Sequence, residues 1–395
     1  MLKSTLWLLL ASVALTACSS AQKTTTSSRY SVTRLDTVIG GEKVLSLNQV
    51  IDTTSNHLQI ESVVILPGRG MNIYQIRAFI PGKGVVDLLQ SPPLEESQKN
   101  MNGGPEDFNG NQSFFVGGSI LIPYANRIRG TYLFDENVIS TQILDHTIKL
   151  PANWKGKRLG AEPHAMHGLI LKSQVEIESS SATDAGAESH GVLHAGDFGG
   201  HWLSSTDLDF TVWMHDNHFV LDIKARNAGT EPLPIGIGWH PFFKIPSGKR
   251  QQARLVIPAH SRTQTNNYDD VFPTGKVLPQ TGALAPLQKT PGMTLKSTYL
   301  DDGFVDLIRA PQGAEATLVD PLSRYEVTVN AVSPTIKAIQ VYAPDDKAFV
   351  AIEPQFNWGD PYGKVWKDSG KDTGMTVLKP GETTEYKVEL TFQTL

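Results

Sequence analysis

A two-residue alternation of apolar and polar side chains is the feature that most constrains this chain. In the clearest segment, the apolar positions are Leu208, Phe210, Val212 and Met214. After a polar turn at residues 215–218, the alternation resumes with Phe219, Leu221, Ile223 and Ala225. A period of two places every second side chain on one face of an extended strand. We therefore predict a β-hairpin with one buried face.

The same pattern recurs further along the chain. Residues 317–319 and 325–329 flank the turn-forming run 320–323, which predicts a second hairpin. More strands are predicted at 339–342, 349–353 and 386–392. Gly and Pro interrupt the chain often, with 34 and 24 copies, and long amphipathic helix patterns with caps are hard to find. We predict an all-β fold, a large antiparallel β-sandwich.

Composition indicates a globular protein and excludes one functional class. Hydrophobic residues make up 40% of the 395 residues and charged residues 19%, which is ample for a large core. The formal net charge is -5, and lysines and arginines are scattered along the chain. A nucleic-acid-binding surface needs a basic patch or stripe, so we expect no nucleic-acid partner.

The N-terminus has the pattern of a targeting segment. Lys3 precedes the apolar stretch 6–15, which is too short to span a bilayer stably. The run 15–18 ends in Cys18, the only cysteine of the chain, and resembles a bacterial lipobox. We predict a lipoprotein signal peptide at 1–17 and lipidation of Cys18. The alternative is an ordinary signal peptide that contains a cysteine.

The remainder divides into a tether and one domain. The Ser/Thr-rich segment 18–29 is typical of a flexible tether, and 30–395 is the predicted β-sandwich domain. No Asp follows Cys18, and by its resemblance to bacterial lipoprotein sorting signals this favours anchoring at the periplasmic face of the outer membrane over retention at the inner membrane. Segment 176–200 is rich in Ser, Ala and Gly, and we interpret it as an inserted loop.

A histidine and a glutamate in apolar, aromatic-flanked segments are the leading candidates for acid/base chemistry. His240 lies between Trp239 and Pro241, and Glu353 follows the apolar segment 348–352. Burial moves the pKa values of such groups toward neutrality, where proton transfer is effective. In one cleft, we expect His240 to be protonated while Glu353 is ionised. The alternatives are a hydrogen-bonded core histidine and a structurally paired carboxylate.

Two further polar sites interrupt apolar sequence. Asn126 and Arg127 lie in such a run, and a guanidinium near a core must meet an anion or a hydroxyl-rich ligand. The alternative is a structural arginine paired with a core carboxylate. Asp301 and Asp302 are adjacent carboxylates, which on their own are typical of a solvated turn.

Several histidines have spacings that suggest metal ligation. His164 and His167 are three residues apart, and His190 and His194 are four apart. The chain has one cysteine and no His-Glu-x-x-His motif, so we expect no catalytic metal. We interpret His190, His194 and His201 as parts of a polar surface loop.

Seven short motifs, taken in order, resemble those of the aldose 1-epimerase (galactose mutarotase) family. The resemblance runs from about Thr37 to the C-terminus. The motifs are Asn126-Arg127-Ile128, His167-Gly168, His240-Pro241-Phe242-Phe243, Pro273-Thr274-Gly275, Leu300-Asp301 with Phe304, Glu353-Pro354-Gln355, and the segment from Leu378 to Glu382. Their shared order, more than any single motif, carries the resemblance.

This resemblance implies a β-supersandwich with a sugar cleft on one concave sheet. It implies an isomerase that interconverts the α and β anomers of a free aldose without a cofactor. Glu353 would be the general base on the anomeric hydroxyl, and His240 would be the general acid on the ring oxygen. The side chains that would hold the sugar oxygens are those of Asn126, Arg127, His167 and Asp301.

The chain departs from the family pattern at points that affect sugar preference. Leu169 replaces a second glycine, and Asp302 stands where galactose-preferring members often carry histidine. Two other functions remain possible on the same fold. One is a non-catalytic carbohydrate-binding lipoprotein. The other is a hexose-phosphate 1-epimerase, in which Arg129 or Lys244 would hold the phosphate. We expect a monomer or weak dimer whose partners are a monosaccharide and a membrane.

Overall fold

The structure is a computed structural model that describes residues 29–395. Within them the chain forms two short α-helices, α1 (Leu94–Asn100) and α2 (Lys364–Lys367). The strands of the same residues, in chain order, are β1 (Tyr30–Ile39), β2 (Glu42–Gln49), β3 (Gln59–Leu66), β4 (Asn72–Ile80), β5 (Gly84–Asp87), β6 (Gly118–Leu121), β7 (Arg127–Ile128), β8 (Thr131–Leu133), β9 (Val138–Ile143), β10 (His146–Pro151), β11 (Ala165–Met166), β12 (Glu176–Thr183), β13 (Gly186–Gly196), β14 (Thr206–His215), β15 (His218–Asn227), β16 (Leu233–Ile235), β17 (Gly238–Lys244), β18 (Arg254–Val256), β19 (Ala259–Thr265), β20 (Pro273–Pro279), β21 (Met293–Thr294), β22 (Leu300–Leu307), β23 (Ala314–Asp320), β24 (Tyr325–Ala331), β25 (Ala338–Ala343), β26 (Phe349–Gln355), β27 (Thr376–Leu378) and β28 (Thr383–Thr394).

The N-terminal predictions fall almost entirely outside the described residues. The signal peptide 1–17, Cys18 and all but the last residue of the tether 18–29 lie there. The first described strand begins at Tyr30. No helix within residues 29–395 has the length and apolar character needed to cross a membrane.

Two large antiparallel sheets contain most of the strands. One has twelve strands in the order β1-β2-β3-β4-β6-β17-β26-β25-β22-β19-β20, with β5 paired to β4. The other has nine strands in the order β12-β13-β14-β15-β28-β24-β23-β18-β21. Both predicted hairpins form in the second sheet, as β14 with β15 and β23 with β24. The prediction of an all-β antiparallel sandwich is confirmed.

The main apolar core lies between the two sheets. The Trp239 ring from β17 stacks on the Phe219 ring from β15, with ring centroids 5.6 Å apart. The Tyr386 hydroxyl of β28 donates to the carbonyl of Pro354 in β26 at 2.8 Å. Strand alternation then directs the neighbours His240 and Glu353 to the opposite face of the twelve-stranded sheet. The face turned away from the core is therefore the one that carries the candidate site.

The interpretation of residues 176–200 as an inserted loop is wrong. They form β12 and β13, a hairpin at the edge of the nine-stranded sheet. Its inward positions hold small residues, such as Ala182, Ala187 and Ser189, all of them buried. Small side chains hide the apolar alternation that identifies a strand, and an edge strand is exposed enough to stay polar.

Candidate active site

The candidate site is built on four neighbouring strands of the twelve-stranded sheet. In the pairing of β17 with β26, Gly238 lies opposite Gln355 and Phe242 lies opposite Ala351. This register sets His240 opposite Glu353 across the strands. His240 Nε2 and Glu353 Oε1 are 3.2 Å apart, and the residues are 6% and 1% exposed. The structure thus brings the two candidate acid/base groups together in one buried site.

Each of these two groups keeps a polar atom free. Nδ1 of His240 and Oε2 of Glu353 are buried and have no hydrogen-bond partner among the described residues. A buried polar atom without a partner is destabilising by about 1–3 kcal/mol. A catalytic role is one recognised reason for such an atom, and here both atoms belong to residues that line the cleft. The pair is therefore suited to hydrogen bonding with a polar molecule in the cleft.

The sequence predicts a protonated His240 beside an ionised Glu353, but burial shifts the pKa values of both groups toward their neutral forms. Desolvation lowers the pKa of the His240 imidazole to about 4. Desolvation, with a smaller contribution from the charge of Asp301, raises the pKa of the Glu353 carboxyl well above its usual value. Burial therefore favours a neutral imidazole beside a protonated carboxyl. The sequence could not predict this because it does not reveal how completely both groups are buried.

Asp301 and Arg127 lie beside the pair without a direct hydrogen bond between them. Arg127 Nη2 is 3.8 Å from Asp301 Oδ2, and both residues are buried. Asp301 Oδ1 accepts a 2.7 Å hydrogen bond from Nε2 of Gln340, whose Oε1 accepts one from Asn126 at 3.2 Å. Burial raises the pKa of Asp301 to about 6, although Arg127 opposes the shift.

Gln340 is a site residue that the sequence analysis missed. It lies on β25, directly opposite Glu353 on β26. The signal was present in the sequence, since Gln340 is a polar residue between Ile339 and Val341 in an apolar strand. A buried polar side chain in such a strand needs partners, and here the partners are the side chains of two other site residues.

Asn126 and His167 both have backbone conformations that non-glycine residues adopt uncommonly. Their φ angles are 62° and 61°, in the left-handed region. A backbone hydrogen bond of 2.8 Å from the His167 N–H to the Asn126 carbonyl links them. Asn357 holds the adjoining Ala125 by hydrogen bonds to its N–H and its carbonyl. Left-handed non-glycine residues concentrate at binding and catalytic sites, where the surrounding structure enforces them.

His167 lies directly against the acid/base pair. Its ring centroid is 5.0 Å from that of His240, in an edge-to-face arrangement. Burial lowers the pKa of His167 well below its usual value, and the nearby His240 adds to the shift. Nδ1 of His167 is buried and has no partner among residues 29–395. The following Gly168 has φ 82°, and a side chain there would meet the carbonyl oxygen of Ile122 at 2.3 Å.

These residues line a cleft of about 460 Å³. It also contains residues that the sequence analysis did not identify. They are Phe114, Phe115, Trp154, Lys155, Gly156, Lys157, Met166, Tyr268, Asp269, Tyr299, Gln340, Tyr342 and Phe349. Most of them come from loops and from strands far apart in the chain, so no local pattern groups them.

Two sequence-based interpretations of other polar residues need correction. Asp302 does not lie in a solvated turn, because it is fully buried on β22 and accepts hydrogen bonds from Arg262 and Tyr268. His190 and His194 lie on β13, where they face carboxylates of the adjacent strands, and only His201 lies in a turn. Within residues 29–395, no three His, Cys, Asp or Glu side chains are grouped to hold a metal ion.

The two cations considered for phosphate binding are engaged outside the cleft. Arg129 pairs with Glu162 at 2.8 Å and lies over the Phe272 ring. Lys244 Nζ is 3.6 Å from Asp87. Neither Arg129 nor Lys244 is among the residues that line the cleft.

Comparison with known proteins agrees with this architecture. The family model described as aldose 1-epimerase matches residues 93–391. A galactose mutarotase-like protein from Clostridium acetobutylicum superposes with a TM-score of 0.70 at 17% identity, covering 93% of this chain and 100% of its own. A galactose 1-epimerase from Lactobacillus acidophilus gives 0.63 at 14% identity, with coverage of 93% and 99%. An aldose epimerase homologue from C. elegans gives 0.64 at 16% identity, with coverage of 85% and 96%. At these identities, the structures are evidence for the fold.

Proposed function

The chain belongs to the aldose 1-epimerase family, and we propose that it is an isomerase that interconverts the α and β anomers of a free aldose. One observation carries the proposal. Nε2 of His240 lies 3.2 Å from Oε1 of Glu353, while each group keeps a second buried polar atom without a partner. An acid and a base that lie together and are free toward the cleft are what anomer exchange requires.

In the proposed reaction, Glu353 takes the proton of the anomeric hydroxyl O1 while His240 gives a proton to the ring oxygen O5. The C1–O5 bond breaks and C1–O1 becomes a carbonyl. After rotation about C1–C2, O5 attacks the other face of C1 and returns its proton to His240. O1 then regains the proton from Glu353. The second anomer is released, and both groups return to their starting state.

The pair needs one proton in total, and its position is set by two opposing effects. Burial favours the proton on Glu353, with His240 neutral. Transfer across the 3.2 Å gap to His240 gives the working ion pair. At an effective dielectric constant near 20, the two charges then attract each other by about 5 kcal/mol. The charge of Arg127 also lowers the pKa of Glu353, which further offsets the burial.

The other polar groups are proposed to hold the sugar hydroxyls. The unpartnered Nδ1 of His167 and Nε of Arg127 suit this role, as does the carboxylate of Asp301. The fixed backbone of Asn126 and His167 keeps these groups in place before the sugar arrives. The same set would serve a non-catalytic sugar-binding protein, so the acid/base pair is what favours an enzyme.

Polarimetry of freshly dissolved α-glucose and α-galactose tests the proposal. The wild-type protein should accelerate mutarotation of at least one sugar. Glu353→Gln and His240→Asn should each lower the rate by about 10²–10⁴-fold, the usual contribution of one proton-transfer group. Glu188→Gln, an exposed change on β13, is the matched control and should keep full activity. Full activity in either site variant would reject the mechanism.

One calorimetric and one kinetic comparison separate the rival functions. Sugar binding measured by calorimetry without any rate enhancement would favour a binding protein. Faster turnover of glucose 6-phosphate than of glucose would favour a hexose-phosphate 1-epimerase. Arg129 and Lys244 are paired outside the cleft, whereas Lys155 and Lys157 line it, so the kinetic comparison decides this alternative. We expect glucose to be the better substrate of the two.

We also propose that the protein is a lipoprotein at the periplasmic face of the outer membrane. The support is the lipobox-like sequence that ends at Cys18, the only cysteine. In a bacterial host, the wild-type protein should incorporate labelled palmitate and sediment with membranes. Cys18→Ser should do neither. A Cys18→Ser variant that still carries label would exclude this anchor.

A further inference from the structure

The start of the described chain lies at one end of the sandwich. The carbonyl of Arg29 accepts the backbone N–H of Val50 at 2.8 Å, where β2 has ended. The Arg29 guanidinium pairs at 2.8 Å with Asp216, in the turn between β14 and β15. The ring of Tyr30 stacks on that of His215 at the end of β14, with centroids 5.5 Å apart. The chain before residue 29 therefore enters the domain beside these turns.

Turns from both sheets meet at this end. β28 ends beside the β14–β15 turn, where Asn217 donates to the carbonyl of Phe392 at 2.8 Å. β24 pairs with β28 there, and the turn 321–324 leads into β24. Lys83, in the turn between β4 and β5, donates to Ser323 at 3.1 Å. We call this continuous surface the tether end, and it comprises residues 29, 50–57, 81–83, 213–217 and 321–324.

The tether end exposes apolar side chains to solvent. Val50 is 67% exposed and Leu322 is 54% exposed. The ring of Trp213, which is partly exposed, stacks on that of His215 at 6.0 Å and 6° from parallel. Its indole N–H donates to the carbonyl of Ala185 at 3.2 Å. Tryptophan is enriched where proteins meet the membrane–water interface, because its ring has an apolar body and a polar edge.

Cationic side chains accompany the apolar ones. Lys83 and Arg324 are exposed beside Leu322. The Lys83 ammonium donates to a neutral hydroxyl, and that contact leaves its positive charge uncompensated. Apolar side chains can enter the headgroup boundary of a bilayer while neighbouring Lys and Arg contact lipid phosphates. Asp52 and Asp184 are also exposed at this end, so apolar contact contributes more of the attraction than charge does.

The length of chain before the described residues limits which surface can meet a membrane. Eleven residue steps separate Cys18, the predicted lipid attachment site, from Arg29. A chain extends at most about 3.3–3.6 Å per residue, so the lipid lies within roughly 40 Å of Arg29. Anchoring at Cys18 also makes contact between the domain and the bilayer intramolecular, with an effective concentration of about millimolar. A surface of weak intrinsic affinity is then sufficient if it lies close to Arg29.

The opposite end of the nine-stranded sheet is too distant to compete. β13 starts beside His215 and extends over Gly186–Gly196, which is about 33 Å at 3.3 Å per residue. Beyond it, His201 donates to the carbonyl of Lys149 on β10, in the small sheet β8–β9–β10. Phe134, between β8 and β9, is 80% exposed. Its contact with the bilayer would require an almost fully extended tether, which is entropically unfavourable.

We propose that the tether end is a membrane-docking surface, on which Val50, Leu322 and Trp213 contact the headgroup region of a bilayer that contains anionic phospholipid. The inference rests on the proposed lipid anchor at Cys18 and is independent of the proposed isomerase activity. His240 and Glu353 lie on a face of the twelve-stranded sheet and not at the tether end. Docking therefore leaves the cleft open to a soluble sugar.

Hydrogen–deuterium exchange of the anchored protein on vesicles of phosphatidylethanolamine and phosphatidylglycerol tests the surface. The reference is the equally anchored double variant Val50→Glu/Leu322→Glu, which places two charges at the contact. Backbone amides of 81–83 and 213–217 should exchange severalfold more slowly in the wild type than in this variant. The difference should vanish in detergent solution without vesicles, which excludes a purely local effect of the substitutions.

A matched control makes the same kind of change at the far end. Phe134→Glu also replaces an exposed apolar side chain by a charge, and it should retain the slow exchange of the wild type. Equal exchange of 81–83 and 213–217 in the wild type and the double variant on vesicles would overturn the proposal. Vesicle-dependent protection confined to 134–137 or 155–160 would assign docking to another surface and would overturn it as well.

A chemical anchor separates this inference from the proposed lipidation. If palmitate labelling shows that Cys18 carries no lipid, its thiol, the only one in the chain, can be coupled to a maleimide lipid in the same vesicles. The exchange comparison is then repeated with the tether fixed at the same residue. Protection of the tether end under either anchor supports docking. Absence of protection in a protein that remains on the vesicles rejects docking and leaves the anchor standing.

Discussion

The guanidinium of Arg127 lies 3.8 Å from the carboxylate of Asp301, too far for a direct hydrogen bond. Asp301 is held instead by Gln340, and Arg127 Nη1 donates to the side chain of Asn126 at 3.2 Å. The two opposite charges are therefore close enough to attract each other. They are also far enough apart to leave hydrogen-bonding positions of both side chains available to a ligand. A sugar hydroxyl is the kind of group that can donate to one and accept from the other.

Sugar binding should therefore weaken as pH falls through about 6, the raised pKa of Asp301. Above this pH Asp301 is a carboxylate that accepts from hydroxyls, and below it the proton removes that acceptor. We expect KM to rise up to tenfold per pH unit on the acid side. In Asp301→Asn, KM should be about 10- to 100-fold higher and flat between pH 5 and 7. The measurement is polarimetric KM from pH 5 to 8, and a rise in KM that survives in the variant would contradict the assignment.

The turnover rate should have a separate and lower acid limit. Burial lowers the pKa of His240 to about 4, so a second proton enters the pair only near that pH. With both groups protonated, Glu353 cannot act as a base. At saturating sugar, kcat should therefore stay constant from pH 7 to about 5 and fall below it. Circular dichroism must show a folded protein at each pH, and a midpoint near 6.5 would indicate an ordinary histidine.

Much of the site could be predicted from the chain because its residues occur in short motifs. Strand alternation, for example, separates Trp239 and His240 onto opposite faces, and the structure has that arrangement. The contribution of Gln340 could not be predicted in the same way. It depends on the register of β25 with β26, and register between separate strands is set by tertiary packing.

Two features could not be predicted from the sequence, for different reasons. They are the contact between the loops of Trp154 and Tyr268 and the protonation state of the pair His240 and Glu353. Trp154 and Tyr268 come together through loops that Asp269 fastens, and no periodic pattern marks such loops. The neutral state that burial favours for His240 and Glu353 follows from their depth, which a strand pattern does not give. Segment 176–200 was misread because its inward side chains are too small to mark a strand.

The loop that carries Phe114 should depend on one buried ion pair. Asp107 accepts two hydrogen bonds from Arg69, at 2.6 and 2.9 Å, and both residues are buried. Removing one partner leaves an uncompensated buried charge, which is destabilising by about 3–5 kcal/mol. We expect Asp107→Ala to lower the free energy of unfolding by that amount in urea denaturation. Asp36→Ala removes a fully exposed partner of Lys43 and should change stability little, so equal effects of the two changes would reject this role.

The base of the proposed reaction should itself weaken the fold at neutral pH. Burial raises the pKa of Glu353 above the 4.5 of an unfolded glutamate. A folded-state pKa that is raised in this way gives stability that is full below about 4.5 and is lost as pH rises. Glutamine has the same shape as glutamate and carries no charge. At pH 7, the free energy of unfolding of Glu353→Gln in urea should therefore exceed that of the wild type by about 0.5–2 kcal/mol. This difference should vanish near pH 4. Glu188→Gln, on the exposed edge hairpin, should show no such pH-dependent gain.

A Glu353→Gln variant that is less stable at pH 7 would mean that the carboxylate is favourably paired in the folded protein. In that case the imidazolium–carboxylate pair, and not the neutral one, would be the resting state of the cleft.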